Sequence, residues 1–237
     1  MQPAEVKALE KNRVYQSNKL VESSYTLTLQ EKRIVLFAAS LIDSQKAPPK
    51  DGLVMITADS FAAVFGIERR HAYGILSEGI ERLWGREIRR YEGDKEVESM
   101  RWIYHKNYIE GEGRVELGFS PTILPHLTML NREFTGYQLK HIAQLTSFYA
   151  FRLYELMVQH KRFGSREFEL TRLRTLLNMG SKYPNVKDFR KYILDPSIKE
   201  INQHTDIGLF IEPQRKGRSI VGFLFLIKQS QQIPLKL

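Results

Sequence analysis

The residues of this chain best suited to chemistry are cations, gathered at two places in its C-terminal half. Lys182, Lys187, Arg190 and Lys191 stand close together, with Tyr183 and Asn185 between them, and Lys216 and Arg218 flank Gly217. The first group precedes and opens the segment DFRKYILDPSIKEIN, from Asp188 to Asn202, which reads as a helix over 185–204. Free backbone amides at the start of a helix favour phosphate, and an arginine fork fits the two acceptors on the edge of guanine. Arg190 is the candidate for that contact. Asn185 has the groups to read adenine, but its place ahead of the helix also suits it to capping. Lys216 and Arg218 suit phosphate contact near a DNA groove. A weaker third group, Glu68, Arg69, Arg70 and His71, opens a helix in the N-terminal half, where the two arginines are the natural contacts. Any one of these cations alone is most simply a solvated surface charge. They gain meaning from the elements that carry them.

Other chemistries lack their residues. The chain has no cysteine, which excludes a thiolate nucleophile, a disulfide and a cysteine-bound zinc. The six histidines (His71, His105, His126, His141, His160 and His204) never form His-x-His or His-x-x-x-His, which argues against a metal-dependent nicking nuclease or a zinc protease. Neither GxxxxGK[ST] nor GxSxG occurs. No catalytic activity, metal or cofactor is expected. The first residues lack an apolar signal core and no long apolar run follows, so the expectation is a soluble intracellular protein, away from membranes.

Charge is unevenly placed. Residues 1–135 carry 19 Lys/Arg and 19 Asp/Glu, whereas residues 136–237 carry 17 and 8, the whole net charge of +9. A polyanion is therefore drawn to the C-terminal half.

The elements that must position these cations follow from the hydrophobic period. A length of 237 residues admits one large domain or two small ones, and 42% hydrophobic residues support a folded core. Residues 1–24 read as a loose arm or short helix. Thr28 with Glu31 forms a capping-box pattern ahead of a helix bearing Ile34, Val35, Ala38, Leu41 and Ile42. The heptad Leu20, Leu27, Ile34, Leu41 has no second apolar column, which favours core packing over a coiled coil. Val54 to Ile56 suggest a strand, Thr57 caps a helix over 59–65, and Gly66 stops it. A second helix from about Arg70 places Tyr73, Leu76, Ile80, Leu83 and Trp84 inward. Three strands then follow at 87–91, 100–108 and 114–119. The domain boundary is expected near Asn131 to Tyr137, and a helix is expected from Gln138 to Leu145 whose domain the sequence leaves open.

The second half repeats the plan. Ser147 opens a helix, Leu170 to Met179 form a short one ended by Gly180, and SKYP makes the turn into the 185–204 helix. Val186, Phe189, Ile193, Ile198 and Ile201 face inward, and Pro196 should kink this helix beyond its reading end. A hairpin over 207–227 closes the domain, with Val221, Phe223, Phe225 and Ile227 alternating on one face and Arg215 to Arg218 at the tip. The expected fold class is α+β: two tandem winged-helix (helix-turn-helix) domains, at 25–134 and 137–230.

Several long motifs also carry a resemblance. SFYAFRLYELM (Ser147 to Met157), LRTLLNM (Leu173 to Met179), DFRKYILDPSIKEIN and the run from Asp206 to Arg218 resemble the iteron-binding plasmid replication initiators, as do LTLQEKRIVLFAASLI (Leu27 to Ile42) and GRVELGFSPTILPHL (Gly113 to Leu127). The resemblance covers about residues 15–228. It implies a protein that binds direct repeats (iterons) at a plasmid origin, mostly as a monomer, and helps melt adjacent AT-rich DNA. It also implies recruitment of the host initiator and replicative helicase. A homodimer, joined by contacts in the N-terminal domain and shifted to monomer by chaperones, would repress the protein's own operator. The 185–204 helix would read the major groove, and the N-terminal domain would add mainly backbone contacts. The alternative is a winged-helix transcriptional regulator with no role in replication.

Overall fold

A computed structural model describes residues 12–92, 95–109 and 111–230. The chain divides into two compact units between Gln144 and Leu145.

In the first unit, β1 (Arg13–Ser17) leads into a short helix α1 (Asn18–Val21) and then α2 (Leu29–Ser40). β2 (Leu53–Thr57), α3 (Ala58–Phe65) and α4 (Arg69–Leu83) follow. Four strands come next: β3 (Glu87–Glu92), β4 (Lys95–Arg101), β5 (Ile103–Ile109) and β6 (Arg114–Phe119). β7 (Phe134–Gln138) ends the unit. β2, β6 and β5 form one antiparallel sheet in that order, β3 and β4 a separate hairpin, and β1 pairs with β7.

Five expectations change here. The described part of the expected arm is built into the fold: β1 pairs along β7 from Arg13↔Gln138 to Ser17↔Phe134, and Val14, Leu20 and Val21 are fully buried. Residues 1–11 of that arm lie outside the described residues. The same pairing moves the boundary, because β7 belongs to the first unit and carries residues 137–144 with it. Instead of a helix over 138–145 there is a 3-10 turn at Leu139–His141, fixed by Leu139 donating to the Asn12 carbonyl at 2.8 Å. The expected strand over 100–108 is two strands. It breaks at Trp102, whose fully buried ring packs edge-on to Tyr25 at 5.1 Å, so the chain leaves one sheet and enters the next. Trp84 is exposed, contrary to expectation, with Lys106 over its ring.

The capping box forms as the sequence predicts: Thr28 accepts from the Glu31 amide and Glu31 accepts from the Thr28 amide. Its carboxylate does more than cap. Glu31 is fully buried and accepts two hydrogen bonds from Arg86, each 3.0 Å, with Arg82 also 3.4 Å away. The start of α2 is thereby tied to the end of α4. Gly79 of α4 permits their close approach, since a Cβ there would lie 2.4 Å from Ile34. Of the heptad residues, Leu20, Leu27 and Ile34 are buried and Leu41 is exposed, so the column serves the core.

The second unit begins with α5 (Phe148–Val158), then β8 (Ser165–Glu169) and α6 (Leu170–Leu176). Next comes one long helical segment: α7 (Val186–Phe189), a π turn (Arg190–Leu194) and α8 (Asp195–His204). β9 (Ile207–Lys216) and β10 (Ser219–Gln229) form the hairpin, and β8 completes the sheet in the order β8-β10-β9. Phe168, Leu209, Phe223, Phe225 and Ile227 face the helices. Val221 does not join them. A bulge between Ile220 and Gly222 lets Val221 turn to solvent. Arg152 and Glu155, both fully buried, pair at 2.9 Å within α5.

Both tryptophans lie in the first unit, so their fluorescence reports its unfolding alone. Glu31→Gln is expected to lower that unit's stability by about 2–3 kcal/mol in urea titrations followed by tryptophan emission. An unchanged midpoint would show that the buried carboxylate does not hold α2 to α4.

Candidate nucleic-acid interface

Both units contain two helices joined by a turn and followed by a hairpin, but their surfaces differ in charge. In the second unit α6 ends at Leu176, and the chain passes through left-handed backbone at Asn178, Gly180 and Tyr183 before Asn185. Left-handed asparagine is common, but left-handed tyrosine must be held in place. The holder is Arg174 of α6. Its guanidinium donates to the carbonyls of Tyr183 at 2.8 Å, Lys182 at 2.6 Å and Gly180 at 3.5 Å. The same group lies over the buried Phe189 ring at 5.3 Å, which joins the turn to the next helix.

Asn185 serves as the N-cap, accepting from the Lys187 amide at 2.8 Å. Its side-chain oxygen is therefore engaged, and capping is the role the geometry gives it. Lys182, Lys187 and Lys191 are exposed, and none has an ion pair among the described residues.

Pro196 acts differently from expectation. Its effect does not lie beyond the exposed turns. With no N–H and a ring that crowds the preceding turn, it disrupts the regular hydrogen-bond ladder. The structure has a π turn just before it, in which the Asp195 amide donates to the Arg190 carbonyl, five residues back. This turn begins at Arg190. In a regular helix, residues five apart diverge by about 140°; across this wider turn Arg190 Nε reaches Asp195 Oδ1 at 3.2 Å. Arg190 is thus half-buried and laterally braced, whereas Lys187 and Lys191 are exposed. The π turn also carries Tyr192, an exposed residue that the sequence pattern did not single out. Its ring stacks on Tyr183 at 5.6 Å, and Lys191 lies over it at 4.9 Å. An aromatic platform thus stands among lysines at the start of the helix.

The hairpin tip is a second cationic element. Lys216 pairs with Ser219, Gly217 takes the left-handed conformation, and Arg215 donates to the Arg218 carbonyl at 3.3 Å. Lys216 and Arg218 project from the tip without ion pairs among the described residues.

The first unit is the neutral counterpart. Gly66 is left-handed and separates α3 from α4. Arg69 pairs with Asp59 at 3.3 Å and Arg70 with Glu68 at 2.7 Å, with His71 beside the same glutamate. Exposed pairs of this kind are weak, so they lower the local field without locking the side chains. Its β5–β6 tip includes Gly111-Glu112-Gly113, where the second hairpin has Arg215 to Arg218.

Comparison with known proteins is consistent with this layout. A family model described as "Initiator Replication protein, WH1" matches residues 13–158, and one described as "Initiator Rep protein, WH2" matches residues 169–227. A "Replication initiation protein" of Escherichia coli is 26% identical over 232 residues, covering 94% of this chain and 71% of the relative. The "PI protein" of Escherichia coli is 25% identical, covering 93% and 85%. The crystal structure of a Pi initiator protein in complex with iteron DNA superposes with a TM-score of 0.79 at 25% identity, covering 94% of this chain and 99% of that one.

Arg174→Lys keeps the charge but loses the fork that spans three carbonyls. Amide exchange at residues 180–189 is expected to quicken, with a loss of about 1–2 kcal/mol in local stability. Unchanged exchange there would show that the turn holds itself.

Proposed function

This chain belongs to the initiator replication protein family, and on that premise we propose that it initiates plasmid replication by binding direct repeats at the origin through its second winged-helix domain. The observation that carries the assignment is the set of exposed cations on that domain with no ion pair among the described residues: Lys182, Lys187 and Lys191 about the helix start, and Lys216 and Arg218 on the hairpin tip. A helix start in the major groove reads base edges while a basic hairpin holds phosphate. The relative solved with iteron DNA supports the choice of repeats as the target.

The geometry supports the following roles within the interface. Lys187 and Lys191 lie one turn apart and suit backbone phosphates or guanine acceptors. Arg190, braced by Asp195, presents its guanidinium at a fixed angle, which suits it to one base. Tyr183 and Tyr192 offer apolar surface to sugar or a thymine methyl. Lys182, Lys216 and Arg218 contact phosphate, and Asn185 holds the helix start. Arg69 and Arg70 of the first domain add backbone contacts at the cost of breaking weak surface pairs. Electrostatics supports this division, since the residues before 136 are neutral as a set.

On the same reading the protein acts by binding, without a catalytic step of its own. It opens adjacent AT-rich DNA, engages the host initiator and replicative helicase, and exchanges between a monomer and a chaperone-sensitive homodimer that represses its operator. Family membership is what supports these further steps. Among the described residues, no helix is long and apolar enough to cross a membrane.

Purified protein is expected to shift duplex carrying the direct repeats and to support an origin plasmid in trans. Binding to a single operator with no replication in trans would instead favour a transcriptional regulator. Arg190→Ala should cost about 1–3 kcal/mol at one base position and relax preference there; an equal loss on every sequence would reduce Arg190 to a phosphate contact. Lys216→Ala should lower the slope of log K against log salt by about one unit. An unchanged slope would place the hairpin tip off the DNA.

A further inference from the structure

The second domain has a face with the opposite character to its DNA-directed elements. Strand register places Glu212, Leu224 and Glu167 in one row across the outer side of the sheet, and Phe210, Leu226 and Ser165 in the next. The helices pack on the other side, where Phe168, Phe223 and Phe225 are buried. Phe210 is 53% exposed, which is unusual for a phenylalanine, and Lys228 lies over its ring. Leu224 and Leu226 are half-buried. Glu167 and Glu212 are exposed and unpaired among the described residues, as is Glu169 in the adjoining row.

Those three glutamates are a large part of the eight acidic residues found after position 135. In a domain with a large excess of cations, nothing about solubility requires unpaired carboxylates to flank an apolar strip. The arrangement disfavours nucleic acid, because phosphate would meet carboxylates. It lies on the side of the sheet away from the reading helix, with Phe210 about 20 Å along β9 from Lys216. DNA held by the helix and tip leaves this face open.

We infer that the outer sheet face around Phe210, Leu224 and Leu226 is a docking surface for a protein segment that bears both apolar and Lys/Arg side chains. The apolar strip receives the partner's apolar residues, and Glu167 and Glu212 on its two flanks receive the cations. The strip is small, so the contact is transient and sensitive to salt. It does not depend on which DNA the protein reads.

The test uses the full chain and a fluorescent peptide of alternating lysine and leucine, followed by anisotropy at low salt, with a duplex-shift assay in parallel. Wild-type protein should bind the peptide. E167Q/E212Q and, separately, F210S should bind it roughly fivefold more weakly, and both variants should shift duplex as wild type does. Because these side chains are exposed, the duplex shift also reports that each variant is folded. Peptide binding that is undetectable, or unchanged in both variants, would overturn the inference. So would sedimentation showing that wild type self-associates through this face and that E167Q/E212Q does not, since the occupant would then be a second copy.

Discussion

One guanidinium fixes the cationic turn of the second domain. Arg174 binds three carbonyls of the turn between α6 and α7 and covers the ring of Phe189 behind it. The turn contains a left-handed tyrosine, which would not keep that conformation unaided. Tyr183, Lys182, the Asn185 cap and the exposed start of the following helix are all set by this clamp. Backbone carbonyls are acceptors that a charged, planar fork can bind together, and lysine lacks the geometry to replace it. The turn is positioned by hydrogen bonds to main chain, and Lys182 within it has no ion pair among the described residues.

A second constraint comes from Pro196. A proline inside a helix must be accommodated, and this chain does so with a wider turn over 190–194. That turn brings Asp195 beneath Arg190 and sets Tyr192 against Tyr183. A residue that appears to interrupt the helix thereby shapes the side chains ahead of it. Turns of this type recur at functional sites. The two domains then divide the work by charge. The first pairs Arg69 and Arg70 with neighbouring carboxylates and closes on a buried glutamate, whereas in the second Lys182, Lys187, Lys191, Lys216 and Arg218 have no ion pair among the described residues and only Arg190 is braced, by Asp195.

Much of this was legible in the sequence where the signal is local. The Thr28–Glu31 box, the Gly66 stop, the Asn185 cap and the basic tip each lie within a few residues of one another, and short-range chemistry decides them. The failures have long-range causes. Glu31 meets Arg86 only after α2 and α4 fold together. β1 finds β7 more than a hundred residues later, which moved the boundary to Gln144. Trp102, and not Trp84, is buried because the chain changes sheets there. Val221 fits an alternating pattern that a bulge interrupts, and a one-residue slip reverses the face of a side chain. Tyr192 was missed because a regular helical period cannot foresee the π turn, although Pro196 four residues later was its signal.

The central claim is that the second domain reads the repeats with its helix start and hairpin tip. Hydrogen–deuterium exchange of the full chain with and without a repeat-bearing duplex tests it most directly. The account predicts slower exchange at residues 182–192 and 215–219, with little change at 208–212 on the outer sheet face. Protection confined to the first domain, or strongest at 208–212, would contradict it.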